Sequence, residues 1–134
     1  MKIIIDVDYR EKKLIKFLNI LQKDFNYSHL EINTKDLPLG DIIISKTNKL
    51  NEKKELMIIE RKNLNDLASS IRDGRYKEQS YRLSNTGLHN HNIVYLIEGN
   101  IATWSNRYTK IEPKTIYVTM FCIQYYKGLS LIHI

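Results

Sequence analysis

The chain has 134 residues, with 21 Lys and Arg against 15 Asp and Glu and a net charge of +6. That length suits one domain able to bury a sheet and its covering helices, and the basic excess favours a polyanionic partner. The lone cysteine, Cys122, excludes a disulfide framework or a cysteine-zinc site, and no apolar run reaches the roughly 18 residues of a membrane span or forms a signal peptide, so an intracellular protein is expected.

Lys2 to Val7 carries Ile3, Ile4 and Ile5 in one short β-branched run, the pattern of a central strand buried on both faces. From Glu11 to Phe25 the apolar residues Leu14, Phe17, Leu18, Leu21 and Phe25 recur at helical spacing, with Lys12, Lys13, Lys16 and Lys23 elsewhere on the wheel. This predicts an amphipathic helix over one face of the sheet. Asp8 and Glu11 fall at the strand-to-helix junction, where capping and dipole compensation are their ordinary uses. Ser28 to Asn33 alternates Leu30 and Ile32 with polar residues, as a half-buried strand does. Pro38 and Gly40 mark a loop; Gly40 is either a turn residue or leaves room for a substrate beside Asp41. Ile42–Ile44 and Leu56–Ile59 read as hairpin strands, with Ser45 to Glu55 as their exposed connection.

The second of these runs ends in Glu60-Arg61-Lys62. Side chains alternate along a strand, so Glu60 and Lys62 share a face and Arg61 takes the other. If the two runs pair, Asp41 converges with Glu60 and Lys62 at one sheet edge. Two carboxylates and a lysine suit phosphodiester hydrolysis: the acids hold a divalent metal, and the ammonium orients water or steadies charge on the phosphate.

Asn63 is placed to cap a helix through Leu64, Leu67 and Ile71, with Asp66 in its first turn. Asp73-Gly74 breaks that helix, and Arg75 to Leu83 begins another with Arg75 and Arg82 on one face. Arg72, Arg75 and Arg82 are candidate phosphate contacts, or an ordinary solvated stripe. Asn92 to Glu98 is a buried strand ending in a structural acid. In the loop Ile101 to Ile111, Trp104, Arg107 and Tyr108 either stack on unpaired bases or pack the loop. Pro113 opens a helix through Ile116, Met120, Ile123 and Tyr126 that Gly128 stops, and Leu129 to Ile134 alternates as a last strand. The element order predicts an α/β sandwich, a mixed β-sheet flanked by helices.

Gly40-Asp41, a spacer, then Glu60-Arg61-Lys62-x-x-x-Asp66 resembles the GD...ERKxxxD signature of the XPF/MUS structure-specific endonucleases, a branch of the restriction-endonuclease-like nucleases. Leu67 to Leu83 is similar to the helical stretch after that motif in the Mus-eighty-one-like crossover-junction branch. Val7-Asp8-Tyr9-Arg10-Glu11 is similar to the family's first acidic motif, VDxRE in the XPF branch. The resemblance covers nearly the whole chain. It implies the restriction-endonuclease-like fold and one nuclease domain over residues 1–134, without the tandem helix-hairpin-helix domain that usually follows. It also implies a Mg²⁺- or Mn²⁺-dependent endodeoxyribonuclease that cuts flaps, forks and nicked junctions in DNA repair or recombination, in the nucleus if the cell is eukaryotic. On this reading Asp41 and Glu60 bind metal with Asp8 in support, and Lys62 positions the nucleophilic water. Arg61 braces a phosphate or a neighbouring acid, and Asp66 belongs to the site by holding Arg61 or Lys62. Members of the family act as dimers, so a homodimer, or a heterodimer with a related subunit, is expected through the Pro113–Gly128 helix and the apolar ending. A Holliday-junction or restriction-type nuclease of the same fold, a non-catalytic partner subunit and a plain nucleic-acid binding module remain as alternatives.

Overall fold

The isoleucine runs do form strands, as β-branched side chains favour. A computed structural model describes residues 1–134, which form two units, Met1–Ile59 and Glu60–Ile134. In the first, β1 (Lys2–Asp8), β2 (Leu30–Lys35), β3 (Ile42–Thr47) and most of β4 (Lys53–Asn63) follow the hydrogen-bonded order β2-β1-β3-β4. β1 runs parallel to β2 and antiparallel to β3, and β3 is antiparallel to β4. β1 is therefore central in this unit, as its Ile run predicts, and Ile4, Val7, Ile42, Ile43 and Ile58 are buried.

The helix of this unit departs from expectation. α1 (Lys12–Gln22) ends before Phe25 and buries no residue fully. Its half-buried stripe is Leu14, Ile15, Leu18, Leu21 and Gln22, whereas Phe17 and Phe25 are 57% and 89% exposed. Phe17 sits one residue, about 100° of rotation, from Leu18 and so falls off the covered side. The predicted hairpin connection also shrinks. The strands extend to Thr47 and from Lys53, leaving a short turn in which Asn48 Oδ1 accepts from the N–H groups of Leu50 and Glu52. Exposed Lys and Glu side chains do not prevent the backbone from pairing, so the polar stretch could not mark the strand ends.

In the second unit the end of β4 leads into α2 (Leu64–Arg72) and α3 (Arg75–Ser84), then β5 (Ile93–Glu98), α4 (Pro113–Gln124) and β6 (Ser130–His133). The strands follow the order β4-β5-β6, with β5 and β6 parallel. Asn63 Oδ1 accepts from the Asp66 N–H at 2.8 Å, the predicted cap. Leu67, Leu83, Ile93, Tyr95, Ile97, Ile116 and Ile123 form a fully buried core. Parallel and antiparallel pairs in one chain with four α-helices bear out the α/β class and the mixed sheet.

Candidate active site

Asp8 and Asp41 come together through backbone pairing. The register Val7↔Ile42 continues with the Asp8 N–H donating to the Asp41 carbonyl at 2.9 Å. Directly opposed residues share a face, so the two carboxylates stand abreast on neighbouring strands. The Asp41 N–H in turn donates to the Ile59 carbonyl at 2.9 Å, and Ile59 directly precedes Glu60 in β4. Gly40 sets up this entry. Its φ is +77°, and a Cβ there would fall 2.5 Å from Ile58 Cγ2, so glycine is required by the turn and by packing on Ile58 rather than by an approaching substrate.

Asp8 is completely buried and already fully engaged. Its Oδ1 accepts from the Arg10 N–H at 3.0 Å and Nε at 2.8 Å; Oδ2 accepts from Arg10 Nη2 and the Leu37 N–H, each at 3.2 Å. The Arg10 guanidinium bonds hold the carboxyl below the usual carboxylate range, against burial, which pushes it up; the two backbone N–H groups add to the lowering. Arg10 was visible in the first acidic motif, but its bond to Asp8 was not foreseen.

Asp6, two residues earlier on the same face, was missed altogether. It is 3% exposed, and its Oδ2 accepts from Lys53 Nζ at 2.6 Å and Lys35 Nζ at 3.3 Å, while Oδ1 accepts from Asn33. Burial pushes this carboxyl up, but the Lys53 and Asn33 hydrogen bonds and the two lysine charges outweigh it and leave the group below its ordinary value.

In the second unit Glu60 and Lys62 are both buried at 8% exposure, with Lys62 Nζ 3.5 Å from Glu60 Oε1. The predicted side-by-side acid and amine is therefore present. In the same unit Tyr95 is wholly buried with its hydroxyl unpaired. Burial first, then the Glu60 carboxylate, push its phenol far above the ordinary value, so it stays a neutral donor at any working pH. Arg61, on the opposite face of β4, grips Glu98 with Nε–Oε1 at 2.7 Å and Nη2–Oε2 at 3.2 Å. A two-pronged bond of this kind fixes both planes. Asp66 is exposed in the first turn of α2. Arg72 and Arg75 converge on Asp73, at 3.0 and 3.3 Å, and Arg82 is exposed on α3.

The donor set is hard oxygen, which suits Mg²⁺ or Mn²⁺. No three His, Cys, Asp or Glu side chains gather tightly enough to enclose an ion. Mg²⁺ characteristically takes one or two carboxylates and completes its octahedron with water and phosphate oxygens, so the carboxylates on either unit have the chemistry such an ion takes. Asp8 would join only by exchanging Arg10.

Known proteins share both the sequence and the fold. The ERCC4 domain matches residues 7–134. The chain is 39% identical over 110 residues to the probable crossover junction endonuclease mus81 of Dictyostelium discoideum, covering 81% of this chain and 12% of that protein. It is 35% identical over 103 residues to the crossover junction endonuclease MUS81 of Arabidopsis thaliana, covering 73% of this chain and 15% of that protein. The chain thus spans a small part of the length of these relatives. XPF from Aeropyrum pernix, also solved in complex with DNA, superposes with a TM-score of 0.63 at 24% identity, covering 97% of this chain and 55% of that one. The likeness in fold bears out the restriction-endonuclease-like expectation. With a match from Val7 to the last residue, and with the two acids and the acid-amine pair held as described, the chain belongs to the ERCC4 domain family.

Proposed function

We propose that this chain is the nuclease part of a metal-dependent, structure-specific DNA endonuclease that cuts flaps, forks or nicked junctions in DNA repair or recombination. The observation that carries this reading is the buried Glu60–Lys62 couple, in a chain related to crossover junction endonucleases. Asp41 and Glu60 would hold Mg²⁺, or Mn²⁺. When bound, the ion supplies a Lewis acid for the phosphoryl oxygen and a more acidic water. Lys62, 3.5 Å from Glu60, would orient the attacking water and offset charge on the phosphate. Arg61 locks Glu98 and thereby fixes the end of β5 beside β4. Action on chromosomal DNA places the protein in the nucleus if the cell is eukaryotic; no helix is long and apolar enough to cross a membrane. The test is a gel assay of flap, fork, four-way and linear substrates, with Mg²⁺ and with chelator. Metal-dependent cuts near the branch are expected; cutting of linear duplex at a fixed sequence, or symmetric cuts in four-way junctions alone, would replace this reading with another nuclease of the same fold.

The basic residues of α2 and α3 are read as phosphate contacts. Asp73 has its carboxyl held below the usual range by the Arg72 hydrogen bond first and by Arg75 as well, so it gathers two guanidinium groups at one point. Each phosphate neutralised releases counterions, so Arg82→Ala is expected to lower the slope of log affinity against log salt by about 0.9. Arg72→Ala and Arg75→Ala should do the same. An unchanged slope in all three returns them to the solvated surface.

A second subunit is part of the reading. α4, which ends at Gln124 rather than running on to Gly128, turns Tyr117, Val118 and Phe121 outward, and Tyr125 and Tyr126 follow it, each of the five more than half exposed, with Phe121 stacked on Tyr125 at 5.2 Å. Ile132 of β6 and Ile134 add to the exposed apolar surface. A homodimer, or a heterodimer with a related subunit, would cover these groups. Sedimentation at micromolar concentration should show a dimer that Phe121→Asp dissociates. A monomer that still separates flap from linear duplex would place selectivity in the single nuclease domain.

A further inference from the structure

Beside the Arg61–Glu98 clamp lies a cleft of about 290 Å³, lined by Asn63, Asn65, Glu98, Asn100 and Trp104 over a floor that includes Leu64. Three asparagine side chains here have their carbonyl oxygens already spent. Asn63 Oδ1 accepts from the Asp66 N–H, Asn65 Oδ1 from Trp104 Nε1 at 2.8 Å, and Asn100 Oδ1 from the Ala102 N–H. Each amide therefore keeps its Nδ2 as a donor. The same Asn65 bond pins the half-buried indole in place. Glycine at 99 brings backbone against Leu64: a Cβ would fall 2.9 Å from its side chain.

A flat aromatic face, several neutral donors and one carboxylate describe a particular ligand. The Glu98 oxygens, though each already accepts from Arg61, keep lone pairs that can accept from an exocyclic amine, whereas a phosphate brings no donor to meet them. The volume sits at the lower end of small-ligand pockets, which suits one ring system. We propose that this cleft receives an unpaired nucleobase at the branch of the DNA, stacked on Trp104 and held by the asparagine amides. This rests on the nuclease reading and deepens it, because Glu98 is clamped by the residue between Glu60 and Lys62. Selectivity for branched over linear DNA then comes partly from a base that only a branch can offer.

Trp104 is the chain's one tryptophan, so its emission reports the cleft directly. In chelator, the chain is titrated with a flap oligonucleotide and with the same flap carrying abasic residues in place of its unpaired nucleotides. The base-bearing flap should quench Trp104 and bind roughly tenfold more tightly, as stacking of one base on an aromatic ring allows. Trp104→Ala should bind both flaps at the abasic level, with linear-duplex affinity unchanged, and Trp104→Phe should recover part of the difference. Equal affinity and equal quenching for the two flaps in the unaltered chain would overturn the proposal, as would a Trp104→Ala loss shared by linear duplex. Metal-free binding separates this test from the parent reading. Selective quenching without any Mg²⁺-dependent cutting would sink the nuclease reading alone, cutting without selectivity for the base would sink the cleft alone, and failure to bind any flap would sink both.

Discussion

Asp41→Ala should abolish Mg²⁺-dependent cleavage of a flap substrate, a loss of about 10³-fold or more, while the protein remains folded. The size follows from what a metal-holding carboxylate supports: Lewis-acid stabilisation is worth several kcal/mol, and each 1.36 kcal/mol is about tenfold in rate. The main-chain bonds that pair Asp41 with its neighbours along the strands survive the substitution. Its carbonyl accepts from the Asp8 N–H and its own N–H donates to Ile59, and alanine keeps both groups. If the surface around Asp41 meets phosphate as proposed, removing a negative charge from it should leave metal-free affinity for the flap equal or tighter. Circular dichroism and binding in chelator check the fold, and a single-turnover gel assay reads the rate. Robust cutting by the variant would remove Asp41 from the mechanism and leave the Glu60–Lys62 pair without its partner acid.

What the sequence made legible is local. The Ile3–Ile5 and Ile42–Ile44 runs placed two strands, because β-branched residues bounded by turn signals have few other uses. Alternation after Ile59 put Glu60 and Lys62 together, and the Asn63 cap announced α2. What was not legible depends on partners far away in the chain. Asp6 reads as a stray acid in an apolar run until Lys53, 47 residues on, and Lys35 reach it. Tyr95 sits in a strand pattern like any core residue, and nothing local shows that the Glu60 charge acts on its phenol. The amphipathic pattern of α1 set the right helix but the wrong stripe: the period allows either Phe17 or Ile15 beside Leu14 and Leu18, and only the fold chooses Ile15. Glu98 was read as structural, and its bond to Arg61 supplies the structure it serves.

Asp8 carries the largest stability effect expected outside the core. Alanine there leaves the Leu37 N–H and the Arg10 guanidinium without their acceptor. Breaking a fully buried ion pair from one side costs up to 3–5 kcal/mol, but Arg10 is 66% exposed and rehydrates, so about 2 kcal/mol is expected. Urea titration at pH 7 should show a lower midpoint with the slope preserved. The pH dependence has a definite sign. The folded carboxyl is held below its unfolded value, near 3.9 for a free aspartate, so its contribution is complete above that value and disappears as pH falls through the folded one. Asp6 follows the same rule. The gap between Asp8→Ala and the unaltered protein should therefore be full at neutral pH and close in acid below about pH 4. Equal midpoints at pH 7 would show that Arg10 and Leu37 do not need the carboxylate. That result would free Asp8 to serve as the supporting metal ligand, since its exchange of Arg10 for an ion would then cost the fold nothing.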